Sequence, residues 1–109
     1  AAGGEVGVGA IARRGGDAWF RALAVVDSKA CTALVEETIA RLGALDIMHA
    51  NAGVELCRSV WDTEDAEWER VLAVNLSGSF WCARAAMRTM RAAGRGGVVA
   101  RCRVWVMSV

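Results

Sequence analysis

The sequence contains no Pro and no Tyr, a single His and, among 13 basic residues, a single Lys. Without Tyr, no step in which a tyrosine gives or takes a proton can be performed inside these 109 residues. No run approaches the roughly 18 uncharged apolar residues that a membrane helix needs, so no membrane partner is expected. The opening Ala1-Ala2-Gly3-Gly4-Glu5 has neither a basic-plus-apolar leader nor an initiator Met, and the chain reads as an excerpt or a processed piece. An excess of one charge is lacking too. The 13 Lys+Arg and 12 Asp+Glu leave a formal net charge of +1, without the clustered basic face that a nucleic-acid partner requires. Cys31, Cys57, Cys82 and Cys102 form no C-x-x-C pair, and no His stands at ligand spacing from them, so no metal is expected. A disulfide scaffold does not suit so apolar and helix-patterned a chain. The cysteines read as scattered buried thiols of a cytoplasmic protein.

The chain has the means for a core, since 55% of its residues are hydrophobic and 23% are charged. Its length allows one small domain, which at this size buries about 60–70% of its unfolded surface. Residues 5–11 form a short, Gly-interrupted apolar run, and Arg13-Arg14-Gly15-Gly16-Asp17 is a turn signal. Trp19 to Val26 is β-prone. From Cys31 the period changes. Leu34, Val35, Thr38, Ile39 and Leu42 follow at helical spacing, and Gly43 supplies the stop. Leu45 to Ala50 predicts a short buried strand. A long helix is predicted next over 64–92, capped by Asp62 or Thr63, with acids at its start and Arg84, Arg88 and Arg91 towards its end. Its apolar stripe is read through Trp68, Val71, Leu72, Leu76, Phe80, Ala83, Met87 and Met90. After Gly94, Val98-Val99 opens another strand. The order strand, strand, helix, strand, long helix, strand predicts an α/β fold with a parallel sheet.

Several local features bear on chemistry. Gly7-Val8-Gly9-Ala10-Ile11-Ala12 fits G-x-G-x-x-A, the dinucleotide fingerprint. That motif needs a strand before it and a helix after it, whereas only six residues precede Gly7 here. A Gly-rich strand is the simpler reading. Asn51-Ala52-Gly53 follows a predicted strand, at the end where open α/β sheets bind ligands. Small residues there admit a cofactor to the backbone, although Asn and Gly also form ordinary turns. Asn75 falls on the apolar stripe between Leu72 and Leu76. A buried Asn must be satisfied by backbone or water, or serve a site by holding a water or kinking its helix. His49, inside an apolar run, reads as a core histidine. The acidic residues show no paired arrangement for acid–base work, and Ser77 and Ser79 have no G-x-S-x-G context.

Taken together, three segments resemble the short-chain dehydrogenase/reductase family. Leu42 to Gly53 is similar to its "fGxLDilvNNAG" segment. Trp68 to Phe80 is similar to its "W-x-x-v-l-x-v-N-L-x-G-x-F" helix. Met90, Gly94, Gly97, Val98 and Val99 resemble its "M-x-x-x-G-x-G-x-I-v" entry to the next strand. The resemblance implies a partial Rossmann-type fold, truncated at both ends. The domain expected is a single incomplete dinucleotide-binding unit over 1–109, with a divergent tail over 100–109. The resemblance further implies an NAD or NADP cofactor, and hydride exchange with a small alcohol or ketone substrate in the intact parent. Asn51, Ala52 and Gly53 would line the cofactor pocket. Asn75 would be the catalytic-tetrad Asn, which positions a water beside the catalytic Lys. A homo-oligomer through the 64–92 helix is also implied.

Departures from the family pattern qualify these expectations. The Gly-rich phosphate loop and first strand have no counterpart, and Gly3 to Ala10 aligns with the second strand instead. Ala10 then stands where NAD-preferring members carry an acid. With Arg13-Arg14 nearby, this tilts the expectation towards NADP. Ala24-Val25-Val26-Asp27 matches the "D-V-t-D" stretch, so Ala24 replaces the Asp that contacts adenine, while Val25 still offers its backbone amide. After Val99 the likeness stops. Ser108 falls too late to be the catalytic Ser, Lys29 lies before the motif region, and no Tyr-x-x-x-Lys is present. The acid–base pair is therefore missing from this chain. The alternative reading is a non-catalytic remnant, or a piece that interacts through its long helix.

Overall fold

The structure, a computed structural model, describes residues 2–101. Its elements run α1 (Ala2–Arg13), α2 (Ser28–Leu42), β1 (Ile47–Ala50), a 3-10 turn (Val60–Asp62), α3 (Asp65–Leu72), a π-helical turn (Ala73–Ser77), α4 (Gly78–Ala92) and β2 (Val98–Arg101). β1 and β2 pair in parallel, with Ile47 opposite Val98 and Ala50 opposite Arg101. α3 and α4 lie in the connection between them, which makes a βαβ unit. α4 packs on α2 and on the sheet. This is the expected partial α/β fold. The tail expected over 100–109 begins inside β2 at residues 100 and 101, and its remainder, with Cys102 and Ser108, lies outside the described residues.

Helix α2 starts earlier than its apolar spacing predicts. The Asp27 carboxylate accepts the backbone N–H groups of Lys29 (2.9 Å) and Ala30 (3.1 Å), which would otherwise be unpaired at the helix start. Gly43 ends the helix at φ +86°, and its N–H donates to the Ile39 carbonyl. Gly94, at φ +65°, follows α4 in the same way. Capping of α3 differs from expectation. Glu64 is the N-cap residue and makes no side-chain bond there. Asp62 accepts from the Ser59 hydroxyl, and the Thr63 hydroxyl donates to the Ser59 carbonyl, so both are committed to the preceding turn.

Two predicted strands do not form. Residues 5–11 belong to α1, and Gly7 and Gly9 are helical positions, not a phosphate loop. Among the described residues no strand lies beside this segment, and a helix satisfies its backbone internally. Glu5 in the first turn and Arg13 in the last suit the helix dipole. The Gly15-Gly16 turn forms as expected, with Gly15 at φ +81°. Residues 19–24 are irregular for the same want of a partner strand. That stretch is held to α2 instead: Arg21 pairs with Glu37 at 2.6 Å, and the Arg41 guanidinium lies 4.4 Å from the Trp19 ring centre.

The long helix turns inward a face that matches the predicted stripe only at Val71 and Met90 among its buried residues. Val71, Asn75, Gly78, Ser79, Cys82, Ala85, Ala86 and Met90 are buried, while Leu76, Phe80 and Met87 from the predicted stripe are exposed. Small side chains allow α4 to approach α2 and the sheet closely, so the bulkier residues take the outer face. β1 is half-buried rather than buried, with Ile47 exposed and Ala50 buried. His49 is exposed, contrary to its reading as a core residue, because a sheet of two strands leaves one face uncovered. Among the described residues, no helix is long and apolar enough to cross a membrane.

Candidate functional site

The site forms where β1 ends. Cys31, Ala50 and Cys82 make a small buried cluster, with Leu23, Val25, Met48 and Trp81 packed against it. Above it lies a cavity of about 160 Å³, bordered by Val25, His49, Asn51, Ala52, Gly78 and Ser79, among others. The volume is below the roughly 300–1,000 Å³ typical of a pocket that takes a whole drug-sized ligand. It suits part of a larger molecule, such as one aromatic ring. Its wall carries no Asp, Glu, Lys or Arg side chain.

Asn75 organises the loop after β1. Its Oδ1 accepts the Val54 N–H at 2.7 Å, and its Nδ2 donates to the Val54 carbonyl at 2.8 Å. The buried amide thus pairs with both polar groups of one residue, as a neighbouring strand would. Asn75 is satisfied by backbone, and it sits at a distortion of its helix. The π-helical turn Ala73–Ser77 carries one extra residue per turn, and the Gly78 N–H donates back to the Ala73 carbonyl. The Ser79 hydroxyl donates to the Asn75 carbonyl at 3.0 Å. The geometry places the Asn75 side chain on the loop, and the Val54 pair uses one of its two N–H donors and one of its two acceptor lone pairs.

The glycines set two close approaches. A Cβ on Gly53 would stand 3.3 Å from Asn75 Oδ1. A Cβ on Gly78 would stand 2.8 Å from Val25 Cγ2, so α4 approaches the Val25 turn closely only because position 78 has no side chain. That turn is closed by the Asp27 N–H on the Ala24 carbonyl at 3.1 Å. The Val25 carbonyl receives the Cys31 Sγ–H at 3.6 Å, and Cys82 donates to Cys31 across 3.7 Å. Burial, followed by the neighbouring Cys82, pushes the Cys31 thiol up to about 12, so it is neutral at ordinary pH.

Of the residues expected to meet a cofactor, Val25, Asn51 and Ala52 border the cavity. Gly53 lies behind them against Asn75. Ala24 is exposed and does not border it. No wall of the cavity comes from α1, so Arg13 and Arg14 are not part of it. Sequence reasoning missed Val54, whose part is played by backbone alone and leaves no side-chain signal. It also missed Gly78, for which an isolated Gly within a helical pattern was an available signal. The cysteines differ from the scattered buried thiols expected: Cys31 and Cys82 are buried and in contact, and Cys57 is exposed. Among the described residues, no group of three or more His, Cys, Asp or Glu could hold a metal ion.

Comparison with known proteins places this geometry in a family. Residues 4–104 match the short chain dehydrogenase family. Among curated relatives, the chain is 46% identical over 67 residues to the (5R,7aS)-5-hydroxy-7a-methyl-1-oxo-2,3,5,6,7,7a-hexahydro-1H-indene-carboxyl-CoA reductase of Mycobacterium tuberculosis, covering 62% of this chain and 26% of that protein. It is 38% identical over 103 residues to the cis-4-hydroxycyclohexanecarboxylate dehydrogenase of Sinomonas cyclohexanicum, covering 88% of this chain and 41% of the other. An uncharacterised NAD-dependent oxidoreductase of M. tuberculosis is 35% identical over 92 residues, covering 84% and 34% of the two chains. The crystal structure of a short chain dehydrogenase from Mycobacterium smegmatis superposes with a TM-score of 0.85 at 32% identity, over 90% of this chain and 41% of that one. The chain spans between about a quarter and two fifths of the length of these relatives. The family match extends over nearly all of its residues, and the chain belongs to the short-chain dehydrogenase family.

Proposed function

We propose that the cavity at the end of β1 receives part of a nicotinamide dinucleotide, NAD or NADP. The protein carrying these residues would then move hydride between that cofactor and an alcohol or ketone. The observation that carries this reading is the double hydrogen bond of Asn75 to Val54, which fixes the Asn51-Ala52-Gly53 loop at the carboxyl end of a parallel strand. The residues present fit such a group. The cavity is uncharged for the most part and ring-sized, and Asn51 and Ala52 are exposed at its edge. When bound, the nicotinamide supplies or accepts the hydride. Val25 and Ala52 would offer backbone contacts, Asn51 a side-chain amide, and Gly53 room for the loop. Asn75 would act as a positioning residue through that loop. The proton on the substrate hydroxyl is not handled by a tyrosine of these 109 residues, because there is none.

The substrate class we favour is a small alcohol or ketone borne on a carbocycle. Two relatives of this chain are named for ring compounds that carry a hydroxyl group. Ala10, on which the tilt to NADP rests, lies in α1 outside the cavity and gives that tilt no support, and one relative is named as NAD-dependent. We also take residues 1–109 as one incomplete dinucleotide-binding domain, with a divergent tail from residue 100. A cytoplasmic location goes with this reading, since reducing compartments maintain free thiols such as Cys31, Cys57 and Cys82. Exposed Leu76, Phe80 and Met87 support a homo-oligomer through Asp65–Ala92. The same exposed stripe favours the second reading, a non-catalytic piece that pairs its long helix with another protein.

Fluorescence titration of the protein with NADH and NADPH tests the proposal, with tryptophan emission as the energy donor. Saturable binding of at least one cofactor is expected, weakened by Asn75→Ala. No saturable binding of either would overturn the dinucleotide reading and leave the helix-pairing alternative.

A further inference from the structure

One pair of nucleophilic side chains has no part in the proposed chemistry. Cys31, in the first turn of α2, and Cys82, in α4, stand 51 positions apart in the chain, yet their sulfurs are 3.7 Å apart. Both are buried, and they sit between the two helices whose packing forms much of the core. The contact is already oriented. Cys82 donates to Cys31, and Cys31 donates to the Val25 carbonyl. A disulfide holds its sulfurs at about 2.05 Å, so closure needs an approach of under roughly 2 Å. Small rotations of two side chains on facing helices are of that size. Cys57 is exposed on the loop after Gly53 and takes no part in the cluster.

We propose that Cys31 and Cys82 are a redox-responsive dithiol that closes reversibly to a disulfide and staples α2 to α4. The oxidant is a two-electron thiol oxidant of the azo or peroxide class. With diamide, both S–H bonds break and the Sγ–Sγ bond forms. The two electrons and two protons pass to the N=N bond, which becomes the hydrazine. Closure removes both thiol protons, so the Val25 carbonyl loses its donor while the helices become covalently linked. The turn bordering the cavity is thereby released from α2 at one point as α2 is tied to α4. A cross-link over so long a loop restricts the unfolded chain strongly, and the oxidised protein is the more stable form. The inference does not depend on the dinucleotide reading, since neither thiol needs a cofactor in order to react.

The test uses the native sequence under native conditions. The protein is treated with diamide, quenched with N-ethylmaleimide and digested with trypsin. Cleavage after Lys29, Arg41, Arg70 and Arg84 leaves Cys31 in residues 30–41 and Cys82 in residues 71–84. The expected product is these two peptides joined and lighter by two hydrogens, released again by dithiothreitol. The oxidised protein is expected to melt at least about 5 °C higher than the reduced form. A Cys57→Ser variant, which touches nothing in the cluster, is expected to give the same linkage. Recovery of both peptides as separate maleimide adducts after unfolding would overturn the proposal. Joining of either one to a peptide containing Cys57 or Cys102 would overturn it as well.

Discussion

At the scale of the residue, Asn75 shows how a polar group becomes tolerable in a core. Its amide has one acceptor and one donor facing the Val54 backbone, and each is used. Asn75→Ala leaves the Val54 N–H and carbonyl without partners. A loss of about 1–3 kcal/mol of stability is expected in urea unfolding, together with faster hydrogen exchange at the Val54 amide. Asn75→Asp keeps the acceptor and loses the donor, and is expected to be destabilising as well. The sequence raised the right question here, since Asn lay between apolar residues. It could not name the partner, because a backbone group carries no side-chain signature. Cys31 gives a second prediction at this scale. Its thiol is raised from 9.0 to about 12 in the folded protein, so the unfolded chain ionises first as pH rises. The contribution is whole below the unfolded value and is lost between pH 9.0 and about 12. Stability measured across that window is expected to fall, and Cys31→Ala is expected to flatten the fall.

At the scale of the element, the helix between β1 and β2 was legible in extent and only in part in orientation. Apolar spacing marked Trp68, Val71, Leu72, Leu76, Phe80, Ala83, Met87 and Met90 as its inner stripe; Val71 and Met90 are buried, yet Trp68, Leu76, Phe80 and Met87 are exposed. The inner face is built of small residues, which hydrophobic periodicity underweights. The π-helical turn adds to the discrepancy, because one extra residue in a turn shifts the register of all that follows. α2 was read well, since its spacing and its Gly43 stop agree. Only the Asp27 cap, which extends the helix back to Ser28, went unread. The strand expected over 5–11 became α1 because strand formation depends on a neighbour, and periodicity cannot supply one. Gly78 sets a prediction for this scale. Gly78→Val places a branched side chain against Val25, which must move. A loss of about 1–3 kcal/mol is expected, and the change in near-ultraviolet ellipticity reports the displaced packing around Trp81.

At the scale of the whole molecule, two parallel strands and the helices around them form a βαβ unit with apolar surface still uncovered. Ile47 and Val98 are exposed on the sheet, and Leu76, Phe80 and Met87 are exposed on the long helix. The motifs carried the fold class at this scale because three ordered segments agree on it. Burial could not be read, since it depends on what lies beside each strand, and His49 is the example. If the helix stripe mediates self-association, Phe80→Glu combined with Met87→Glu is expected to shift sedimentation to the monomer without loss of helical ellipticity. Unchanged sedimentation of an associated species would place the contact elsewhere.

The central claim is that the loop after β1, pinned by Asn75 and bordered by Val25, faces a nicotinamide dinucleotide. The measurement that tests it most directly is a backbone amide chemical-shift map of the protein, titrated with NADPH and with NADH. The account expects saturable shifts at Val25, Asn51, Ala52, Gly53 and Val54, with α1 unmoved. Shifts confined to α1 or to the outer face of α4, or none with either cofactor, would contradict it.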